Sequence, residues 1–506
     1  LEKESLIEKK GRFQVILIIL ICLNSIQVGI NHTITSFHAY VPKFYCRDDH
    51  EQCGLDVNGT SCSSGYEFDE EDERSVVVEW SLVCDRHLIM PLINTLYFVG
   101  VTLGALICGT LADMWGRKYL VLACMYLQAL ISVCIYFTPN LEVFVFFRVL
   151  QGFFIQGLQN CSYTLMLEYC PARFRTAAAV FWELNWAVGL GILGATAYFI
   201  RTWRDLTLVL TIPTALSLVY FWVFPESISW LYAKGRHREA FVLTRKIAKK
   251  NGDEEILEEC SKIPLREKGE LATKYEDGAV ISGGGVGGEK PTERTGVLDM
   301  VRSRPLRRHL IIMICIWFSV TLSYYGILYF LPGLAGQRHL NFLVGAAIEA
   351  VAYILAYFVL SRLGRRWPMS AYQYINGVLC ITMGLLSLCE EEWSLIVIAL
   401  IAKGLAVSSF CGMFIYCSEL FPTICRGVAL GLCGFAARCG SLLAPQLMIL
   451  AVYAPPYVPM IILATGLLIT GTATLFLPET LQSRLPNTIS EADELWDKND
   501  DKIRRR

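Results

Sequence analysis

The chain alternates between long apolar runs and short polar breaks. Twelve apolar runs cover 13–37, 89–111, 119–138, 142–167, 177–200, 205–224, 309–331, 341–361, 368–388, 394–419, 427–450 and 457–477. Each is about long enough to cross a bilayer as a helix. Two long polar stretches interrupt the rhythm, 38–88 after the first run and 225–308 after the sixth. The runs therefore divide six and six. This pattern predicts an all-α membrane protein of twelve transmembrane helices in two six-helix halves. A weak internal echo supports duplication: GTLADMWGRK at 109–118 follows the second run, and SRLGRR at 361–366 follows the eighth. Parallel halves with a substrate site near the membrane midplane are the architecture to expect.

The same pattern sets the domain plan. A cytoplasmic N-terminus and first span occupy 1–37, a polar outer loop 38–88, and the rest of the first half 89–224. A cytoplasmic middle loop follows at 225–308, then the second half at 309–477 and a cytoplasmic tail at 478–506. The middle loop reads as short amphipathic helices around Arg236 to Lys250, a flexible linker at Gly283 to Gly288, and a basic stretch at Arg302, Arg304, Arg307 and Arg308.

Composition agrees. Of 506 residues, 54% are hydrophobic and 18% charged, whereas a soluble chain of this size would be more charged. The net charge of -1 points away from a nucleic-acid partner. Most of the 19 cysteines lie singly in apolar runs, where Cys behaves as a small hydrophobe. Cys46, Cys53, Cys62 and Cys84 instead share the polar outer loop with the acceptor sequence Asn58-Gly59-Thr60. That clustering predicts an oxidised, extracellular loop with two disulfides of open pairing and a glycan on Asn58. The first apolar run is too long for a cleavable signal and lacks a small-residue cleavage site. Lys and Arg collect at one end of the spans, at Arg117, Lys118, Arg173, Arg175, Arg362, Arg365, Arg366, Arg426, the middle loop and Arg504 to Arg506. Both termini should accordingly be cytoplasmic.

One polar turn is unusually dense. Gly109 to Lys118 packs Asp113, Arg117 and Lys118 beside two glycines that allow backbones to approach closely. This spacing resembles the loop after the second span of the major facilitator superfamily, G-x-L-x-D-x-x-G-R-K, with every defined position filled. The resemblance implies a latch that holds the two halves together when the carrier faces outward. Further motifs are RVLQGFFIQG at 148–157, EWSLVC at 79–84, Pro225-Glu226-Ser227, SELFPTICRG at 418–427 and LPET at 477–480. Together they resemble the organic cation, carnitine and organic anion transporters. Sugar porters share the PES and PET elements but not the cysteine-bearing loop and EWSLVC. Two departures are Ser361, where the family usually has Asp, and an outer loop that is short for the family with only four cysteines. From the resemblance, Asp113, Arg117, Glu168, Arg175, Glu419 and Arg426 should form an inner conformational network away from substrate.

A charged side chain at mid-membrane costs about 2.5–3.5 kcal/mol on insertion scales, so each needs a reason. Glu183 lies in FWELNWAVG with Trp186 one turn away, and Glu349 in AAIEAVAY with Tyr353 one turn on. Trp317 and Tyr324 lie two turns apart in WFSVTLSYYG, and Arg438 lies in GFAARCGS. The resemblance implies that these residues line the central cavity, with Glu349 facing substrate. Arg438 stands where organic cation transporters have Asp and where carnitine and organic anion transporters have Arg, so it should grip a carboxylate. The bland readings are a buried hydrogen-bonded Glu183 and an Arg438–Glu349 ion pair that closes the cavity. Lys403, in IAKGLA, reads as a structural partner for an acidic helix end. His32 and His38 look isolated near the outer end of the first span.

No P-loop, zinc spacing or dinucleotide turn is present, so the chain reads as no enzyme and needs no cofactor. The reading is a plasma-membrane secondary carrier working by alternating access on a small organic ion. A zwitterion or amino compound of carnitine or β-amino-acid type fits best, since a plain cation meets Arg438 and a plain anion meets the glutamates. The other partners are the lipid bilayer and a candidate co-transported ion. Alternatives are an organic cation uniporter, a non-transporting receptor-like member and a sugar porter, whose sites are built from Gln and Asn.

Overall fold

A computed structural model describes residues 11–46, 65–68, 74–171, 174–216, 220–253, 302–330, 338–388, 392–422, 425–455 and 457–481. The long helices, in chain order, are α1 Arg12–His38, α2 Ile89–Trp115, α3 Arg117–Tyr136, α4 Leu141–Tyr169, α5 Arg175–Phe199 and α6 Trp203–Leu216, continued by Tyr220–Val223. The second set is α7 Arg304–Phe330, α8 Arg338–Leu363, α9 Arg366–Leu386, α10 Glu392–Leu420, α11 Arg426–Tyr453 and α12 Tyr457–Thr474. Ten helical segments among the described residues are long and apolar enough to cross a membrane. α9 falls short because it buries Ser370, Gln373 and Asn376 inside the bundle. α7 starts earlier than the predicted 309, because Arg304, Arg307 and Arg308 belong to its first turns. The predicted linker at 283–288 lies outside the described residues.

The two halves repeat one packing plan. α1 packs on α5 as α7 does on α11; α3 packs on α6 as α9 does on α12; α2 packs on α4 as α8 does on α10. Between the halves, α2 meets α11 and α5 meets α8. A duplicated six-helix unit closed on itself across those two seams gives the major facilitator fold.

The outer loop has its own small core. Strands β1 Phe44–Cys46 and β2 Tyr66–Phe68 pair antiparallel, with Cys46 opposite Tyr66. Cys46 is disulfide-bonded; Cys53, Cys62 and Asn58 lie outside the described residues. The EWSLVC stretch acts as a clamp. Glu79 accepts from Trp203 Nε1 at 2.7 Å and from Arg204 Nη2 at 2.5 Å, while Trp80 packs on Phe144 and Trp203. The loop is thereby pinned to the start of α6.

At the inner end the predicted latch residues sit in a cluster that the sequence only partly foretold. Arg117 Nη2 lies 2.9 Å from Asp113, and Arg117 Nε 3.4 Å from Glu168. The carboxylate that organises them is Glu226, whose Oε1 accepts the main-chain N–H of Arg117, Lys118 and Ser227 at 2.9, 3.1 and 2.9 Å. A carboxylate on helix-start N–H groups also complements the α3 dipole. Gly116 makes this possible: its φ of +107° is left-handed, and a Cβ there would sit 2.3 Å from Glu226 Oε2.

The second half builds the same cluster. Glu479 accepts from the N–H of Arg365 and Arg366 at 2.9 and 3.0 Å, Arg365 pairs with Glu419 at 2.8 Å, and Gly364 takes φ +92°. Where an Asp would stand, exposed Ser361 donates to the carbonyl of Phe358, and Arg365 Nη1 donates to the carbonyl of Leu360 at 2.8 Å. Arg175, exposed at the start of α5, makes no ion pair with a described residue; Arg426, at the start of α11, lies within reach of the Arg175 charge, and its Nε donates to the carbonyl of Phe421 at 3.4 Å. The pairs Arg117–Asp113, Arg117–Glu168 and Arg365–Glu419 each lie within one half.

Candidate functional site

A cavity of about 720 Å³ lies between the halves at mid-membrane depth. α5 contributes Glu183 and Trp186, α7 Trp317, Thr321, Tyr324 and Tyr325, α8 Tyr353, α10 Phe410 and Phe414, and α11 Arg438. The helical period explains this set: 317, 321, 324 and 325 recur at one face of α7, as 407, 410 and 414 do on α10. Five predicted residues, Glu183, Trp186, Trp317, Tyr324 and Arg438, therefore share one space.

Glu349 does not join them. It is fully buried beneath the wall, with its Oε1 2.9 Å from Lys403 Nζ, itself fully buried. Tyr324 stands between this pair and the cavity, donating its hydroxyl hydrogen to Glu349 Oε1 at 3.1 Å and accepting from Trp186 Nε1 at 3.4 Å. Two expectations are corrected here. Lys403 serves a mid-helix carboxylate rather than a helix end, and Glu349 pairs with Lys403 behind the wall rather than facing the cavity. Two charges in hydrocarbon persist only when each supplies the other's counter-ion.

Among the described residues, what remains at the cavity surface is one carboxylate and one guanidinium. Glu183 makes no ion pair with a described residue, and Tyr353 stands beside it. Arg438 Nη2 donates to Gln159 Oε1 at 3.1 Å, leaving the rest of its donor fork for another acceptor. The Trp317 indole packs edge-on to Phe414 with centroids 4.4 Å apart, and its Nε1–H has no hydrogen-bond partner among the described residues. The Thr321 hydroxyl and Gln156 Oε1 are likewise unpartnered among them. Such a wall offers an aromatic face for an alkylammonium group and polar points that fix orientation.

Sequence reasoning missed several neighbours. Gln156, Gln159 and Asn160 line the cavity from α4, so the amide side chains set aside as a mark of sugar porters are present here too. The spacing of 156, 159 and 160 on one helix face was the available signal. His32 is also better placed than its isolation suggested. It is buried with its ring 5.6 Å from Trp186, and its Nδ1 meets the Tyr97 hydroxyl at 3.1 Å. Behind it Arg148, 2% exposed, is held by Gln151 Oε1 at 2.5 Å, Thr35 Oγ1 at 2.8 Å and the Tyr97 ring at 4.4 Å, with no carboxylate partner among the described residues. A polar network thus runs from the cavity wall into the first half.

At the outer end the halves touch through rings. Phe37 of α1 stacks on His339 at 5.6 Å and meets Phe342 at 5.0 Å, while Arg338 lies 3.8 Å over Tyr40. Nearby, Gln446 of α11 donates to Thr95 of α2 at 2.8 Å.

Comparison with known proteins matches residues 17–488 to the family of sugar (and other) transporters. The organic cation transporter protein of Drosophila melanogaster is 33% identical over 438 residues, covering 86% of this chain and 77% of that one. The human organic cation/carnitine transporter 2 is 31% identical over 433 residues, 85% of this chain and 74% of that one. Solute carrier family 22 member 6-A of Xenopus laevis is 30% identical over 435 residues, 85% and 75% of the two chains. Among solved structures, the inward open xylose transporter XylE of E. coli superposes with a TM-score of 0.66 at 15% identity, covering 96% of this chain and 100% of that one.

Proposed function

The chain belongs to the sugar (and other) transporter family, in its organic cation, carnitine and organic anion branch, and on that premise we propose that it carries a zwitterionic organic ion by alternating access. It is a multi-pass membrane transporter and not an enzyme. The observation that carries the substrate reading is the charge left in the cavity. With Glu349 cancelled by Lys403, the wall presents Glu183 and Arg438 together with Trp186, Trp317 and Tyr324. An ammonium group satisfies the carboxylate and the aromatic faces; a carboxylate satisfies the guanidinium fork. Carnitine and β-amino acids carry both groups on one small skeleton.

Outer rings sealed across the halves, with the inner charge clusters each kept within one half, suit the state closed at the outer end. Opening outward would break the Phe37–His339 and Arg338–Tyr40 contacts and bring the two inner clusters together. Placement in the plasma membrane with both termini cytoplasmic follows the Lys and Arg distribution. An organic cation uniporter is the second reading, favoured by Glu183 and the aromatic wall. Uptake into proteoliposomes separates them. The proposal expects saturable uptake of carnitine or β-alanine above that of choline and of a plain monocarboxylate; choline alone entering would favour the uniporter.

A further inference from the structure

The inner-end helix His237–Asn251, HREAFVLTRKIAKKN, divides its residues sharply. Ala240, Thr244, Ile247 and Ala248 recur at helical spacing and are buried against the bundle. Arg245, Lys246, Lys249 and Lys250 form an exposed stripe along its last two turns. The helix has one carboxylate, Glu239, and Arg236 already holds it at 2.7 and 2.8 Å. None of the four cations makes an ion pair with a described residue.

The position of this stripe is fixed. Asn251 Oδ1 accepts the N–H of Phe13 at 2.9 Å, and Lys250 Nζ lies 4.2 Å over the Phe13 ring. Phe13 begins α1, whose next turn exposes Ile16 by 55% toward lipid. The stripe therefore lies level with the edge of the membrane. A second marker agrees: Lys118 lies 5.5 Å over Phe221, and exposed Phe221 and Trp222 at the inner end of α6 have the character of interfacial aromatics. Lys246 extends the positive field to Lys118.

We infer that Arg245, Lys246, Lys249 and Lys250, with Lys118, bind anionic phospholipid headgroups of the inner leaflet. Arg245, Lys246, Lys249 and Lys250 pair with no carboxylate among the described residues, and such a row of cations at the membrane edge is drawn to negatively charged lipid. Because Asn251 and Lys250 also hold the first turn of α1, lipid bound there steadies the helix against the transport bundle. A soluble partner fits less well, since exposed apolar side chains of the neighbouring spans, Ile16 on α1 and Phe221 and Trp222 after α6, lie close to the same edge.

The test uses the full-length chain purified in neutral detergent, with thermal unfolding followed as phosphatidylserine, phosphatidylcholine or inorganic phosphate is added. Phosphatidylserine should raise Tm saturably, and the other two should not. The R245Q/K246Q/K249Q/K250Q variant should need at least about a hundredfold more phosphatidylserine or lose the shift. K43Q/R201Q, which removes two exposed outer-end charges, should respond as wild type. K249Q/K250Q serves as a milder variant if the first does not fold. An unchanged response in the basic-stripe variants, a shift with inorganic phosphate, or no response to phosphatidylserine in the wild type overturns the inference.

Discussion

Lys403 Nζ lies 2.9 Å from Glu349 Oε1, with both side chains fully buried between α8 and α10. The pair decides the charge of the transport cavity without touching it. It removes one carboxylate from the wall and leaves Glu183 and Arg438 as the charged side chains lining the cavity among the described residues.

Breaking this pair should be costly and repairing it cheap. Glu349→Gln or Lys403→Met alone leaves one buried charge unmatched, a loss of about 3–5 kcal/mol. The double variant E349Q/K403M should recover most of the stability. Thermal unfolding in detergent reads both. A stable Lys403→Met single variant would mean that the pair does not hold α8 to α10.

The latch should separate rate from affinity. Arg117→Ala and Arg365→Ala each remove the centre of a cluster, so turnover should fall about tenfold while KM stays within a few fold, because neither residue lines the cavity. Asp113 is 72% exposed, and its pair with Arg117 is worth about 0.3–0.5 kcal/mol, so Asp113→Ala should slow turnover only about twofold. Uptake kinetics on the three variants check this. A large rise in KM at normal turnover would contradict the assignment.

Much of this architecture was legible in the sequence because membranes impose simple rules. Apolar runs gave the twelve spans, and the cost of buried charge singled out Glu183, Glu349, Lys403 and Arg438. Pairing across helices was not legible: nothing local says that Lys403 of α10 faces Glu349 of α8. Glu226 and Glu479 were visible as Pro-Glu-Ser and Pro-Glu-Thr, yet their role appears only when the chain folds them onto the α3 and α9 starts. Arg175 and Arg426 were assigned to the network by resemblance; they come near each other at the starts of α5 and α11, and Arg175 makes no ion pair with a described residue. Gln156, Gln159 and Asn160 were passed over because amides in a span carry no charge to demand explanation.

The outer rings should act as a gate. Phe37→Ala removes the ring that stacks on His339 and Phe342, so the outward-open population should rise. In a Gln159→Cys background, labelling of position 159 by a membrane-impermeant maleimide from outside should quicken about tenfold, corresponding to about 1.4 kcal/mol. Unaltered labelling would show that closure rests elsewhere.

Trp317 should matter for the ammonium end. Trp317→Leu keeps bulk but loses the π-face, so affinity for a quaternary ammonium substrate should fall about 3- to 30-fold, consistent with about 0.5–2 kcal/mol. A tert-butyl isostere with no charge, tested as an inhibitor, should lose much less. Equal losses would make Trp317 a packing residue.

The central claim is that Arg438 reads a carboxylate. Arg438→Asp is to be assayed in proteoliposomes with two substrates that share an ammonium group, carnitine and choline, only the first bearing a carboxylate. A charged hydrogen bond is worth about 1.5–3 kcal/mol, so carnitine uptake should fall at least about tenfold while choline uptake is maintained or rises. Equal loss of both substrates would show that Arg438 holds Gln159 and the cavity in shape and that the zwitterion reading is wrong.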